Sequence, residues 1–152
     1  MACHYDIYQT YVQTGMGQSM SLAKPENSEA IFTKNSILTD TFNHFRYHPF
    51  WKDSILKLKE LHDYGERIED VDFIVGSGHH TNSHLWEEGG YIHQMPFTYY
   101  TQDGHLDFPP GFEEGYNSRF SRKIGLECMS CHNATPDFVL GSENKYNNVP
   151  KG

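Results

Sequence analysis

The first periodic pattern in the chain predicts a short helix. Over residues 4–12, Tyr5, Tyr8 and Val12 fall on one stripe at helical spacing. Gly15 follows this stripe and favours the end of the helix, because glycine readily leaves the helical backbone conformation.

Later stretches carry strand signals and mixed signals. Over residues 85–100, a Glu-Glu-Gly-Gly turn at 87–90 precedes an arm in which large side chains mostly alternate with smaller or polar ones, which predicts a β-hairpin. Residues 55–61 suit either a strand or a helical turn, whereas residues 66–75 predict a second short helix. Together these patterns predict an irregular α+β fold of short helices and β-hairpins.

Composition narrows the class of protein. The chain has 152 residues, the size of one domain, but only 37% of them are hydrophobic, while 14% are aromatic and ten are histidine. A net charge of −8 argues against a nucleic-acid partner. No run of 18 apolar residues is present, so no transmembrane segment is expected. A loop-rich polar domain or a domain with a large apolar cofactor in its core fits this composition.

One sequence motif favours the second of these classes, a domain with a large apolar cofactor. In the segment Cys128-Met129-Ser130-Cys131-His132, two cysteines three apart are followed directly by histidine, which is the attachment signature of a c-type haem. Each thiol adds to one vinyl group of the porphyrin, and His132 then supplies the proximal axial ligand. We therefore expect haem c bound through Cys128, Cys131 and His132, with the short helices and hairpins of the α+β fold packed around it.

Two other interpretations of this motif are weaker. A zinc ribbon needs a second pair of cysteine or histidine ligands at ribbon spacing, and Cys3 is the only other cysteine in the sequence. A thioredoxin-like redox motif lies after a strand in a βαβ pattern, and no such pattern surrounds Cys128.

The N-terminal residues resemble the end of a second haem motif. Met1-Ala2-Cys3-His4 parallels Met129-Ser130-Cys131-His132 and would complete the motif if a cysteine preceded Met1. The alternatives are a true initiator methionine with Cys3 as a free thiol, or a haem held through Cys3 alone. The sequence favours a truncated motif, which makes Cys3 and His4 a second candidate haem site and raises the expected number of haems to two or more.

Candidate sixth ligands follow from side-chain chemistry. Met16 offers a thioether, a good sixth ligand for haem iron, although a methionine also fills gaps in a core. The Gly-Ser-Gly-His-His turn at 76–80 would let the backbone approach a flat cofactor and direct either His79 or His80 at it. Two further histidines are candidates: His84 follows His80 by one helical turn, and His44 lies within an aromatic-rich run. The candidate metal ligands are therefore His132, His4, His80, His79, Met16, His84 and His44.

Several stretches together resemble a known family. They are Cys3-His4 with Tyr8, Thr14-Gly15-Met16, residues 73–80, Leu85, Pro96-Phe97, residues 109–112 and residues 128–133. The sequence resembles the multihaem c-type cytochromes whose haem domain often precedes tetratricopeptide repeats in exported bacterial proteins. This resemblance implies that His132 and His4 are proximal ligands and that His80 is a distal candidate.

The sequence departs from this family at both ends. Its first motif lacks the leading cysteine, and the chain stops at Pro150-Lys151-Gly152, where the family commonly continues into a further haem motif. We therefore expect residues 1–152 to form a single multihaem cytochrome domain that is a fragment of a longer chain.

The expected function is electron transfer through one segment of a multihaem relay, with other haem domains or redox proteins as partners. Ten histidines exceed the number that proximal ligation needs, which favours irons with two histidine ligands and no open site for substrate. The alternatives are a haem enzyme that reduces or oxidises a small nitrogen compound, and a structural subunit of a cytochrome polymer or larger assembly.

The expected location is the periplasm or the cell exterior. Covalent haem attachment takes place outside the cytoplasm, whereas the first residues contain neither a basic region nor an apolar stretch of a signal peptide. An export signal is therefore expected upstream, or to have been removed.

Overall fold

The computed structural model describes residues 4–133 and 136–149. Two α-helices lie within these residues, α1 (Tyr5–Tyr11) and α2 (Leu126–His132), together with a short 3-10 helix (Pro25–Asn27). The strands are β1 (Met20–Leu22), β2 (Leu38–Asp40), β3 (Phe45–Lys52), β4 (Ile55–His62), β5 (Gly65–Asp70), β6 (Phe73–Val75), β7 (Thr81–Glu88), β8 (Tyr91–Tyr100), β9 (His105–Asp107), β10 (Arg122–Lys123), β11 (Asp137–Phe138) and β12 (Tyr146–Asn148).

The strands form two main antiparallel sheets. The six-stranded sheet has the order β1-β6-β7-β8-β10, with β9 also paired to β8, and the four-stranded sheet has the order β2-β3-β4-β5. Strands β11 and β12 form a separate pair. Two hairpins close through two-residue turns in which both residues have positive φ, Asp53-Ser54 and Gly89-Gly90. Such turns match the right-handed twist of the flanking strands.

The main core lies between the two sheets. Because side chains alternate across a strand, Ile74, Trp86 and Phe97 lie on one face of the six-stranded sheet, which we call the inner face. They pack with Leu56 and Leu58 of the four-stranded sheet, both completely buried. The main core therefore consists of hydrophobic side chains of the chain itself.

The opposite face of the six-stranded sheet, which we call the outer face, carries a second core. Phe73, Leu85 and Ile92 point to this side and pack against Met129 of α2 and Tyr146 of β12. Helix α2 is therefore anchored on the outer face, with the sheet between it and the main core.

The predicted α+β fold packed around haems is wrong, because the described chain is mostly antiparallel β-sheet with only two seven-residue helices. The hydrophobic side chains suffice for two cores because they lie on paired strands. The predicted helix over residues 66–75 is wrong. Residues 65–70 form β5, whose partly buried side chains recur at every second residue, and residues 73–75 form β6, where Phe73 and Ile74 are buried on opposite faces of the sheet. The predicted helix after His4 and the hairpin over residues 85–100 are confirmed.

No helix in the described ranges is long and apolar enough to cross a membrane.

Candidate functional site

Helix α2 presents the cysteines of the motif to solvent. Its only buried side chain is Met129, which packs into the outer-face core and fixes the helix against the sheet. Cys128 and Cys131 flank this anchor and are exposed, with neither in a disulfide. A helix places residues three and four apart on neighbouring positions, so Cys128, Cys131 and His132 share one side of α2.

An apolar cleft adjoins this side of the helix. Its volume is about 190 Å³, and Cys128 and His132 line it together with the hydrophobic side chains of Val75, Leu85, Ile124 and Met129 and with the polar residues Ser83 and Gln94. Cys131 does not line the cleft but lies on the same side of α2 as Cys128. Two thiols and an imidazole close to one another on a helix are the groups that attachment and ligation of a c-type haem require. The residues present therefore fit that cofactor.

The hydroxyl of Ser19 contacts a ring nitrogen of His132. Its oxygen lies 2.7 Å from Nδ1 of His132 and 2.6 Å from the backbone carbonyl oxygen of Met16. A carbonyl only accepts, so the short distance to Met16 favours donation of the serine proton to that carbonyl and, with it, the tautomer in which Nδ1–H of His132 donates to the serine oxygen. In that tautomer the lone pair is on Nε2. Partial burial also lowers the pKa of His132, which favours the neutral ring that binds metals.

Three separate stretches of the chain meet at the end of α2. The backbone N–H of Gly76 donates to the carbonyl of Ser19 across 2.6 Å, which ties the Gly-rich turn at 76–80 to the loop after α1. The hydroxyl of Tyr11, the last residue of α1, donates to the carbonyl of Cys131. The fold therefore brings the C-terminal end of α1, the histidine-bearing turn and α2 to one region.

The environment of Cys128 does not resemble that of a reactive thiol. Partial burial, together with the charge of the neighbouring Glu127, raises its pKa. Catalytic and redox-sensing cysteines have lowered pKa values because they react as thiolates. The finding weighs against the thioredoxin-like interpretation of the motif.

No group of three or more cysteine, histidine or acidic side chains in the part of the chain that is described is arranged to hold a metal ion. A zinc site would need such a group of side chains, whereas a haem site would not. The porphyrin supplies four ligands to the iron, so the protein adds only the axial ones.

The other candidate ligands lie in different surroundings. His4 precedes α1 and is exposed, and Cys3 lies outside the described residues. Met16 is half exposed in the loop after α1, and the exposed His79 and His80 lie in the Gly-rich turn. The exposed His44 occupies the turn between β2 and β3, at the edge of the four-stranded sheet, away from the elements that carry the motif.

His84 lies on the inner face, on the other side of the sheet from α2. It is completely buried and stacks on Phe97, with 4.0 Å between ring centroids. The backbone of Phe97 interacts with the ring, but neither ring nitrogen makes a hydrogen bond of normal geometry to a described residue. Burial lowers the pKa of His84 to about 3. The sheet separates this histidine from His132.

Sequence reasoning missed Ser19. It lies 113 residues before its partner His132, within a polar loop, and a serine in a loop forms no pattern that points to a distant histidine.

The chain matches no protein-family model, and comparisons with curated proteins and with solved structures also gave no match.

Proposed function

We propose that the chain binds a c-type haem covalently through Cys128 and Cys131, with His132 as the proximal ligand, and that it transfers electrons as one segment of a multihaem relay. The observation that supports the proposal most strongly is that both exposed thiols and the imidazole share one side of α2, where Cys128 and His132 line an apolar cleft. When bound, the haem supplies an iron that gains and loses a single electron.

The residues around α2 have separate tasks in this proposal. The two thiols tether the cofactor, and His132 offers Nε2 to the iron because Nδ1–H is engaged by Ser19. The hydrophobic wall of the cleft excludes water from one side of the cofactor. The cleft is smaller than the roughly 300–1,000 Å³ of a pocket that encloses a small molecule, so the other side remains open for exchange of electrons with a partner.

A second haem at Cys3 and His4 is part of the same proposal. Helix α1 begins directly after His4 and ends at Tyr11, whose hydroxyl bonds the backbone of α2. At 1.5 Å per residue, about 10 Å of helix separates His4 from this contact.

Met16, His79 and His80 lie on the elements that meet near His132 and are the preferred candidates for sixth ligands. His44 and His84 lie on other elements and are weaker ones.

The proposed partners are other haem domains or redox proteins, and the proposed location is outside the cytoplasm, where haem is attached. The resemblance of the motif residues to the multihaem c-type cytochromes supports this assignment.

The test is to count covalent haems on the chain. The chain is exported from a host that attaches c-type haem, and intact mass is measured after denaturation together with a reduced pyridine-haemochrome spectrum. We expect a c-type spectrum and the mass of at least one haem, and replacing both cysteines of α2 (Cys128→Ser with Cys131→Ser) should remove one haem mass. Cys3→Ser is the matched variant, since it reports on the second site alone. A chain that retains no haem mass would overturn the proposal.

A further inference from the structure

We propose that Ser19 is the positioning residue that sets the tautomer and the electron-donating strength of His132. The inference rests on the proposed function, since it assigns His132 to a haem iron. It adds a residue that no haem motif contains and that lies 113 positions away from the ligand.

The geometry favours one arrangement of protons. The Ser19 hydroxyl has a single proton, and the carbonyl of Met16 at 2.6 Å only accepts, so this proton is directed to Met16. The serine oxygen is then the acceptor for Nδ1–H of His132 at 2.7 Å. A hydroxyl that donates one hydrogen bond becomes a better acceptor for another, because hydrogen-bond chains polarise one another.

Ser19 is itself held firmly from several sides. It is buried, with 4% of its surface exposed. Its backbone N–H donates to the carbonyl of Met16 at 3.2 Å, and its own carbonyl accepts from Gly76 N–H at 2.6 Å. The hydroxyl therefore has little freedom to turn away from His132. The same residue also joins the proximal histidine to the turn that carries His79 and His80.

The consequence for electron transfer is a lowered potential. A ligand histidine that donates its other N–H to an acceptor becomes more basic and gives more electron density to the metal. This stabilises the ferric state over the ferrous state, since hydrogen bonding around the axial ligand is one of the means by which a protein sets haem potential. Loss of the serine oxygen should therefore make the iron easier to reduce.

The experiment compares Ser19→Ala with the haem-loaded wild-type chain. We expect unchanged haem mass, a higher midpoint potential in a spectroelectrochemical titration, and faster solvent exchange of the His132 Nδ1–H in NMR spectra of the reduced protein. Ser19→Thr keeps the hydroxyl and should restore the wild-type potential. Ser130→Ala is the matched control, because that serine is also close to His132 on α2 but its hydroxyl bonds the carbonyl of Leu126.

A second measurement uses the 152-residue chain without haem, labelled with ¹⁵N-histidine, and begins with the wild-type sequence. The ¹⁵N shifts of His132 should show the proton on Nδ1 in the wild-type chain, and a mixture of tautomers in Ser19→Ala. An unchanged potential and an unchanged tautomer in Ser19→Ala would overturn the role of Ser19. A wild-type chain that shows the expected tautomer but never retains haem would overturn the proposed function while supporting the Ser19–His132 pair.

Discussion

At the residue scale, the same type of side chain has different properties on the two faces of the six-stranded sheet, as His84 and His132 show. His132 ends an exposed helix, is only partly buried, and has a serine hydroxyl as hydrogen-bond partner. His84 is sealed between the sheets against Phe97, where a charged ring has no water to solvate it. The same residue type therefore serves as a candidate ligand at one position and as a packing residue at the other.

The burial of His84 predicts a stability that declines in acid. In the unfolded chain His84 takes up a proton near its ordinary pKa of 6.5, whereas in the folded protein it does so only near pH 3. The unfolded state thus binds more protons between these values. The free energy of unfolding therefore keeps the full contribution of His84 above about pH 6.5 and falls by up to about 1.4 kcal/mol per pH unit between that pH and about pH 3. Replacing His84 with leucine should weaken this dependence.

Urea unfolding at about pH 7 and about pH 5 measures the effect. His84→Leu should be more stable than the wild type at the lower pH, and His105→Leu, which removes an exposed histidine, should follow the wild-type curve. Parallel loss of stability in the wild type and in His84→Leu would show that His84 is not the group responsible. An unchanged haem spectrum in His84→Leu would add that the residue is not an iron ligand.

At the scale of elements, the Gly-rich turn depends on a glycine that no other residue can replace. Gly76 has a φ of +153°, and a Cβ at this position would overlap the backbone carbonyl of Thr81. The sequence pattern attributed the glycines to the approach of a cofactor. The structure shows that the close approach is between Gly76 and its own chain, at the point where the turn bonds Ser19.

Gly76→Ala is therefore expected to destabilise the protein more than backbone strain alone would. Gly65→Ala is the matched control, since Gly65 has a similar φ of +147° but no atom within 4 Å of the position that a Cβ would occupy. Strain should cost about 1–2 kcal/mol in Gly65→Ala, and Gly76→Ala should cost at least about 2 kcal/mol more. Thermal or urea unfolding gives both values, and equal losses would contradict the steric argument.

The elements that could be predicted from sequence are those with an unambiguous local signal. The double glycine at 89–90 specifies a tight hairpin, and the stripe after His4 specifies α1. Strand β4 was ambiguous because Ile55, Leu58 and Leu61 also lie on a helical face. Pairing with two neighbouring strands resolves it, and that pairing depends on residues far away in sequence. The contact between the Ser19 hydroxyl and His132 could not be predicted for the same reason, since only the fold brings these two residues together.

At the scale of the whole molecule, an ion pair between the buried Glu60 and Arg119, whose side chain is 44% exposed, ties the four-stranded sheet to the connection between β9 and β10. Glu60 of β4 has only 3% of its side chain exposed, and Arg119 donates to both of its carboxylate oxygens. The guanidinium also lies over the ring of Phe45, 4.5 Å from its centroid. Removing the arginine would leave the Glu60 carboxylate, which water barely reaches, without the positive charge that balances it.

Arg119→Met should lower the free energy of unfolding by about 2 kcal/mol, because a buried charge that loses its partner keeps the cost of its desolvation. The pair between Lys123 and Glu143 provides the control, since both of its side chains are more than half exposed. Lys123→Met should cost less than about 1 kcal/mol. Urea unfolding of the two variants measures the difference, and a loss in Arg119→Met no larger than in Lys123→Met would contradict it.

The core between the two sheets also affects how the protein is made. Because that core consists of the chain's own side chains, we expect folding to precede the attachment of any cofactor to α2. A newly folded chain then displays two thiols three residues apart on a helix surface, close enough to be oxidised to a disulfide after a small adjustment. If α2 carries the haem proposed above, thioether formation would compete with oxidation of the same two sulfurs. Under this order of assembly, we expect the supply of reductant to α2 to govern the yield of haem-loaded protein.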